Sequence, residues 1–350
     1  MSRPVKTKAA ILVEQRAPLV VDEITLPEEL CCGQVLVRVL YSGICGSQLG
    51  EIEGVKGPDK YLPHLLGHEG SGEVLEVGPG VRHVHPGDKI VLHWRKGPGI
   101  DSVAPVYSWN GKKLNAGWVT SFNEHAVVSE NRLTRLPENF DLRLAPLLGC
   151  AVTTGFGAVV NTAALKLGES IVVLGAGGVG LNVIQAAALT TAHPIVAVDI
   201  FDNRLELARA MGATHTINSR GIDLTHTIRD IIGAAGADVV VDNTGNTGLI
   251  AMAYGLTAGQ GRTVLVGVPR ASEDITLHSL PLHFGKILTG THGGDGDPGV
   301  DIPRYARLAQ SGRLSLAPLV TESYSLDEIN TAIARMKSGE VAGRCVIEMC

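Results

Sequence analysis

Aromatic side chains are scarce: five Phe, six Tyr and three Trp make up 4% of 350 residues. Val, Ile, Leu, Ala and Gly must therefore fill the cores, and with 45% hydrophobic residues the chain is long enough for two of them. No stretch approaches the roughly 18 continuous apolar residues of a membrane span, and residues 1–8 lack the apolar centre of a signal peptide. An excess of one charge is missing too. Lys and Arg number 30 against 35 Asp and Glu, a net charge of −5 with both signs interspersed. There is no basic stripe for nucleic acid and no polybasic membrane segment, so a small-molecule substrate and a cytoplasmic location are expected. In that compartment six cysteines read as thiols or metal ligands rather than disulfides. Neither an internal repeat nor a low-complexity tract occurs.

What the chain does contain is a strand–turn–helix–strand unit at residues 170–204. Ile171 to Leu174 form a short β-branched run of the kind required of a parallel strand covered on both faces. Gly175, Gly177 and Gly180 follow in G-x-G-x-x-G spacing, with Gly178 and Val179 inside the turn. Gly175 permits the tight turn and Gly177 lets the backbone approach a pyrophosphate. Gly180 lets a helix over residues 181–189 pack on the strand, with its free N–H groups facing the phosphates. The second strand, residues 195–198, ends in Asp199, nineteen residues past Gly180. A carboxylate there accepts from both ribose hydroxyls and repels a 2′-phosphate, so the expected cofactor is NAD rather than NADP. Arg204 offers a guanidinium that could neutralise a phosphate, stack on the adenine or lie along the ribose. Val268, beyond a strand at residues 263–266, is a further expected cofactor contact.

Before residue 150 the pattern is short strands and glycine turns, including a clear period-2 strand over residues 34–42, which describes an irregular antiparallel barrel. Residues 95–117 read as a long polar loop without periodicity. After Cys150, strands and helices alternate as in a doubly wound parallel sheet. The expected domains are therefore 1–150 with 294–350, the tail returning to the first domain, and 151–293 for the nucleotide.

Cys45, His68, Glu69 and Cys150 carry the remaining chemistry. A Lewis-acid zinc wants three soft or borderline ligands and an open fourth position, which two Cys and one His supply. Gly43-Ile-Cys-Gly-Ser, Gly67-His-Glu-Gly-Ser-Gly, Gly87-Asp-Lys-Ile, Leu148-Gly-Cys-Ala-Val-Thr-Thr-Gly and Val173-Leu-Gly-Ala-Gly-Gly-Val-Gly occur in that order. Together they resemble the zinc-dependent medium-chain alcohol dehydrogenases over nearly the whole chain.

The resemblance implies an α/β protein with a GroES-like barrel as catalytic domain beside a Rossmann domain. It implies Cys45, His68 and Cys150 as ligands of one catalytic Zn2+, with Glu69 behind the metal as alternative ligand or supporting carboxylate. Ser47 resembles the hydroxyl that passes the alcohol proton outward, Arg344 the arginine at the pyrophosphate, and Trp94 an aromatic wall of the substrate pocket. His93, beside it, is placed to reach a polar substrate. The implied reaction moves a hydride between NAD(H) and an alcohol or carbonyl in a dry cleft between the domains, with the substrate left open among sugar, polyol, amino alcohol and nucleotide-linked sugar. A homodimer or homotetramer is implied, with the strand near residues 286–289 pairing with its twin.

Two departures stand out. The family's structural zinc uses four cysteines in the lobe that here spans residues 95–117, which hold neither Cys nor His, so packing must hold the lobe or leave it mobile. The usual relay histidine is replaced by Gly50. A zinc-free enoyl or quinone reductase and a non-catalytic NAD-binding protein are the competing readings. Cys31, Cys32, Cys345 and Cys350 read as packing or exposed thiols.

Overall fold

The period-2 run becomes the strand Gln34–Gly43, and its alternation serves two cores at once. Val35, Val37 and Val39 enter a large cluster with Leu92, Phe122 and Ile347, while Leu36 points into a smaller one with Ile11, Ile24, Tyr107 and Leu114. Successive strand residues face opposite sides, so one β-branched strand walls off two apolar spaces without aromatic bulk. In the computed structural model, residues 5–349 are described. They divide into one unit of residues 5–150 with 297–349 and another of Ala151–Gly296.

In the first unit, Gln34–Gly43 pairs antiparallel with Gly70–Val77, His125–Ser129 and the C-terminal strand Arg344–Glu348. A second sheet runs in the order His64–Leu65, Lys6–Leu12, Val20–Thr25, Tyr107–Trp109 and Lys112–Leu114.

The last two of these strands correct the reading of residues 95–117 as an aperiodic loop. Tyr107–Trp109 and Lys112–Leu114 pair antiparallel across Asn110 (φ 52°) and Gly111 (φ 73°). Positive φ at both central residues is the turn that Asn-Gly favours, because its twist matches that of paired strands. The lobe is ordered without cysteine. Glu130 Oε1 accepts the N–H groups of Arg82 (2.6 Å) and His83 (2.8 Å), and Oε2 accepts that of Ile100 (2.8 Å). Ser129 Oγ accepts the Ser102 N–H at 2.9 Å. One buried carboxylate thus ties the start of the lobe to the barrel.

Burial opposes the Glu130 charge, but the three N–H donors outweigh it and hold the carboxyl below the usual carboxylate range. A depressed folded-state pKa contributes stability that is complete above the unfolded value and is lost as pH falls through the folded one. Glu130→Ala is expected to cost about 3 kcal/mol in urea unfolding at pH 7, a difference that shrinks below about pH 4. An unchanged urea midpoint would mean that something other than Glu130 holds the lobe.

The second unit carries a six-stranded sheet ordered His215–Asn218, Ile195–Asp199, Ile171–Leu174, Ala237–Asp242, Thr257–Leu265 and Ile287–Gly290, parallel throughout. Strand order reverses between Ile171–Leu174 and Ala237–Asp242, the switch point where open α/β sheets bind ligands. Its core of Val172, Leu174, Val196, Val198, Ile228 and Val240 is aliphatic. Among the described residues, no helix is long and apolar enough to cross a membrane.

Candidate active site

Three segments of the first unit deliver Cys45, His68 and Cys150. Cys45 leaves the strand Gln34–Gly43 and caps the helix Gly46–Ile52. His68 lies between the strands His64–Leu65 and Gly70–Val77, and Cys150 between the helical turn Pro146–Gly149 and the helix Ala151–Gly157. Glycine is required beside two of them. Gly67 has φ +91°, and a Cβ on Gly149 would sit 2.3 Å from the Leu92 carbonyl oxygen. A side chain at either place would push a sulfur or imidazole out of position.

The three ligating atoms lie within 4.8 Å of one another, with the two sulfurs 3.8 Å apart. Both cysteines are buried. His68 Nε2 is also buried and has no hydrogen-bond partner among the described residues. An orphaned imidazole nitrogen facing two thiols is a poor arrangement for packing alone and a suitable donor set for zinc.

Hydrogen bonding from the Cys150 thiol drops the Cys45 thiol well below its ordinary pKa; burial opposes this, and the Arg344 and His68 charges assist it. The same shared proton pushes Cys150 well above the ordinary value. Burial disfavours a charged His68 ring, but the Cys45 sulfur outweighs it and raises the pKa.

Sequence reasoning missed Gln48. Its Oε1 accepts the Cys45 N–H at 2.9 Å, and its amide nitrogen contacts His68 Nδ1, so one 2%-exposed side chain orients two ligands. The signal was present as a capping box, with Gln48 at the third helical position after Cys45. Behind the ligands, Arg344 Nη1 lies 3.2 Å from Glu69 Oε1 and 3.0 Å from the Ile44 carbonyl oxygen. Both side chains are almost fully buried. Burial works against the Arg344 charge, yet Glu69 and then the two cysteines raise its pKa. The arginine expected at the pyrophosphate thus spends Nη1 on Glu69 and the Ile44 carbonyl.

The Trp94 ring lies 6.5 Å from the His68 ring, tilted at 60°. His93 is a correction. It is 1% exposed, with Nδ1 2.8 Å from the Arg95 carbonyl oxygen and Nε2 3.0 Å from Thr134 Oγ1. Burial lowers its pKa to about 4. Both ring nitrogens are engaged internally, which leaves none for a substrate. Ser47 is exposed on the helix that Cys45 caps.

In the second unit, the glycine motif divides by role. Gly175 has φ +87°, and a Cβ on Gly180 would lie 1.9 Å from the Gly175 carbonyl oxygen, so the fold itself demands both. A Cβ on Gly177 would meet nothing within 4 Å, so packing does not require glycine there. The helix begins at Gly178, within the motif, with Gly177 as its cap and Val179 in the first turn. Asp199 Oδ2 accepts the Ala176 N–H at 2.8 Å, and Oδ1 accepts those of Ile200 (2.8 Å) and Phe201 (3.1 Å). Arg204 Nη1 lies 3.8 Å from Asp199, and its guanidinium covers the Phe201 ring at 4.7 Å. Val268 is exposed.

Two family models match this chain: the alcohol dehydrogenase GroES-like domain over residues 32–138 and the zinc-binding dehydrogenase domain over 178–310. The chain belongs to the zinc-dependent medium-chain alcohol dehydrogenases. S-(hydroxymethyl)glutathione dehydrogenase of Paracoccus denitrificans is 32% identical, covering 96% of this chain and 98% of that protein. Alcohol dehydrogenase class-3 of Cereibacter sphaeroides is 31% identical with the same coverage. Among solved structures, an alcohol dehydrogenase zinc-binding domain protein from Burkholderia ambifaria superposes with TM-score 0.90 at 30% identity, covering 99% of both chains. Benzyl alcohol dehydrogenase from Acinetobacter calcoaceticus gives 0.89 at 28%, again over 99% of both.

The fold is accordingly a GroES-like barrel and a Rossmann domain, and the protein is an NAD-dependent zinc alcohol dehydrogenase. The competing readings as a zinc-free reductase or a non-catalytic NAD-binding protein fall away.

Proposed function

We propose that the alcohol chemistry of this family member is carried out at a single zinc held by Cys45, His68 and Cys150. The observation that carries this reading is that His68, whose buried Nε2 has no hydrogen-bond partner among the described residues, brings a ring nitrogen within 4.8 Å of two cysteine sulfurs. When bound, zinc supplies Lewis acidity at the alcohol oxygen and NAD supplies the hydride acceptor. The protein's own work is to hold the ligands and move a proton. Gln48 fixes Cys45 and His68 against each other, while the Glu69–Arg344 pair places a compensated charge behind them. The Ser47 hydroxyl takes the alcohol proton. Gly50 at the relay position offers no side-chain base, so the proton would leave Ser47 for the cofactor's ribose or for water.

Trp94, standing beside His68, favours an alcohol with an apolar body. Following NADH fluorescence over benzyl alcohol, S-(hydroxymethyl)glutathione, polyols and nucleotide-linked sugars tests the reading, and silence across the panel overturns it. The five described cysteines, all unbridged, agree with a cytoplasmic location.

Asp199 closes the strand Ile195–Asp199 and would accept the ribose hydroxyls of bound NAD. NAD is expected to bind at least about tenfold more tightly than NADP, with Asp199→Ala narrowing the gap in fluorescence titration. Equal affinities in the unaltered protein would reject this assignment.

The edge strand Ile287–Gly290 leaves backbone groups unpaired, and Ile287, Phe284, Leu282 and Leu280 around it are exposed. A second copy pairing along this edge would satisfy both, giving a dimer. Sedimentation at micromolar concentration is expected to show a dimer or a tetramer built from it, and a monomer would remove the edge pairing.

A further inference from the structure

Away from the thiols, a second set of ligand-type side chains converges. Glu51, Asp59 and His64 bring their ligating atoms within 4.8 Å of one another. We infer that they form a second divalent-cation site, taking a borderline transition ion such as zinc through one imidazole nitrogen and two carboxylates.

His64 is 7% exposed, and its Nδ1 lies 2.9 Å from the Leu65 carbonyl oxygen. A carbonyl only accepts, so Nδ1 carries a hydrogen and Nε2 is the nitrogen turned to the cluster. Two carboxylates meet at that one atom, Asp59 Oδ2 at 2.8 Å and Glu51 Oε1 at 3.8 Å. A single N–H serves one oxygen at hydrogen-bond distance and leaves the other charge uncompensated. A dication, by contrast, takes the nitrogen lone pair and both oxygens together. Among the described residues, Glu51 and Asp59 form ion pairs with His64 alone. The adjacent Lys60 turns its ammonium over the Tyr61 ring, 5.2 Å from the centroid.

The donors are positioned in advance. Asp59 Oδ1 accepts the Tyr61 N–H at 2.8 Å, and the Asp59 N–H donates to Gln15 Oε1 at 3.2 Å. Gln15 Nε2 in turn donates to the Gly57 carbonyl at 3.1 Å. An imidazole buttressed by a backbone carbonyl is a common way to orient a metal-binding histidine. Its nitrogen favours zinc, cobalt or nickel over calcium and magnesium, which prefer oxygen alone. Glu51 is exposed, so water completes the coordination. Glu51 lies in the last turn of the helix that Cys45 caps, and His64 opens the strand four residues before His68. An ion here ties together the two segments that carry those ligands.

Cobalt(II) added to the intact, zinc-loaded protein tests the site. One equivalent is expected to bind with a weak d–d spectrum and no thiolate charge-transfer band, and to raise Tm. Glu51→Gln, an isosteric change on the surface, and Asp59→Asn are each expected to weaken that binding at least tenfold in calorimetric titration, with the zinc retained at the thiols unchanged. Cys45→Ser is expected to keep the second equivalent, which separates this site from the thiol centre. Cobalt binding only with a thiolate band, or binding unaffected by both carboxylate changes, overturns the inference.

Discussion

Cys45→Ser is expected to strip the tightly held zinc and lower turnover by about 10³-fold, since a Lewis-acid metal contributes several kcal/mol at the reacting oxygen. The remaining His68 and Cys150 are too few to retain the ion. The fold should survive for a local reason. Cys45 caps the helix Gly46–Ile52, its carbonyl oxygen accepting the Gln48 N–H at 3.1 Å, and serine is among the best residues at that position. NAD binding should survive as well, because the second unit has its own aliphatic core. Metal analysis after gel filtration of protein carrying Glu51→Gln, which weakens the carboxylate–imidazole site, is expected to find one zinc per chain with Cys45 intact and none once Cys45→Ser is added. In that Glu51→Gln background two retained zincs would show the cysteine-free lobe to be misread, and an active zinc-free preparation would end the zinc mechanism.

The second large effect concerns the charge pair behind the ligands. Arg344→Met leaves the buried Glu69 carboxylate without its guanidinium, and breaking such a pair from one side costs about 3–5 kcal/mol. A lowered Tm is expected, together with weaker zinc retention, because Arg344 also stabilises the Cys45 thiolate. Adding Glu69→Gln to Arg344→Met removes the stranded charge and should recover part of the loss. A change below about 1 kcal/mol in the single variant would mean that the pair is hydrated and contributes little.

Much of the architecture was legible because local signals agreed with one another. The β-branched run, the glycine spacing and Asp199 lie within thirty residues and describe one supersecondary unit. The strand His215–Asn218 went unseen because it is short and only Ile217 among its residues is buried. The hairpin in residues 95–117 was available in Asn110-Gly111, but its three-residue strands offer too little alternation to register as a pattern.

The sequence by itself determined the family, the cofactor motif and the residue types able to hold a zinc, since each is a matter of chemistry at short spacing. Tertiary structure alone decided the partners. Gln48 meets His68 across 20 positions, Glu130 reaches Arg82 across 48, and Arg344 reaches Glu69 across 275. It also withdrew His93 from the substrate pocket by engaging both ring nitrogens, and drew Glu51, Asp59 and His64 to one point. Spacing along a chain prescribes what a helix turn or strand can present locally. Which buried charges end up face to face depends on how strands far apart in sequence are paired, and no local pattern carries that information.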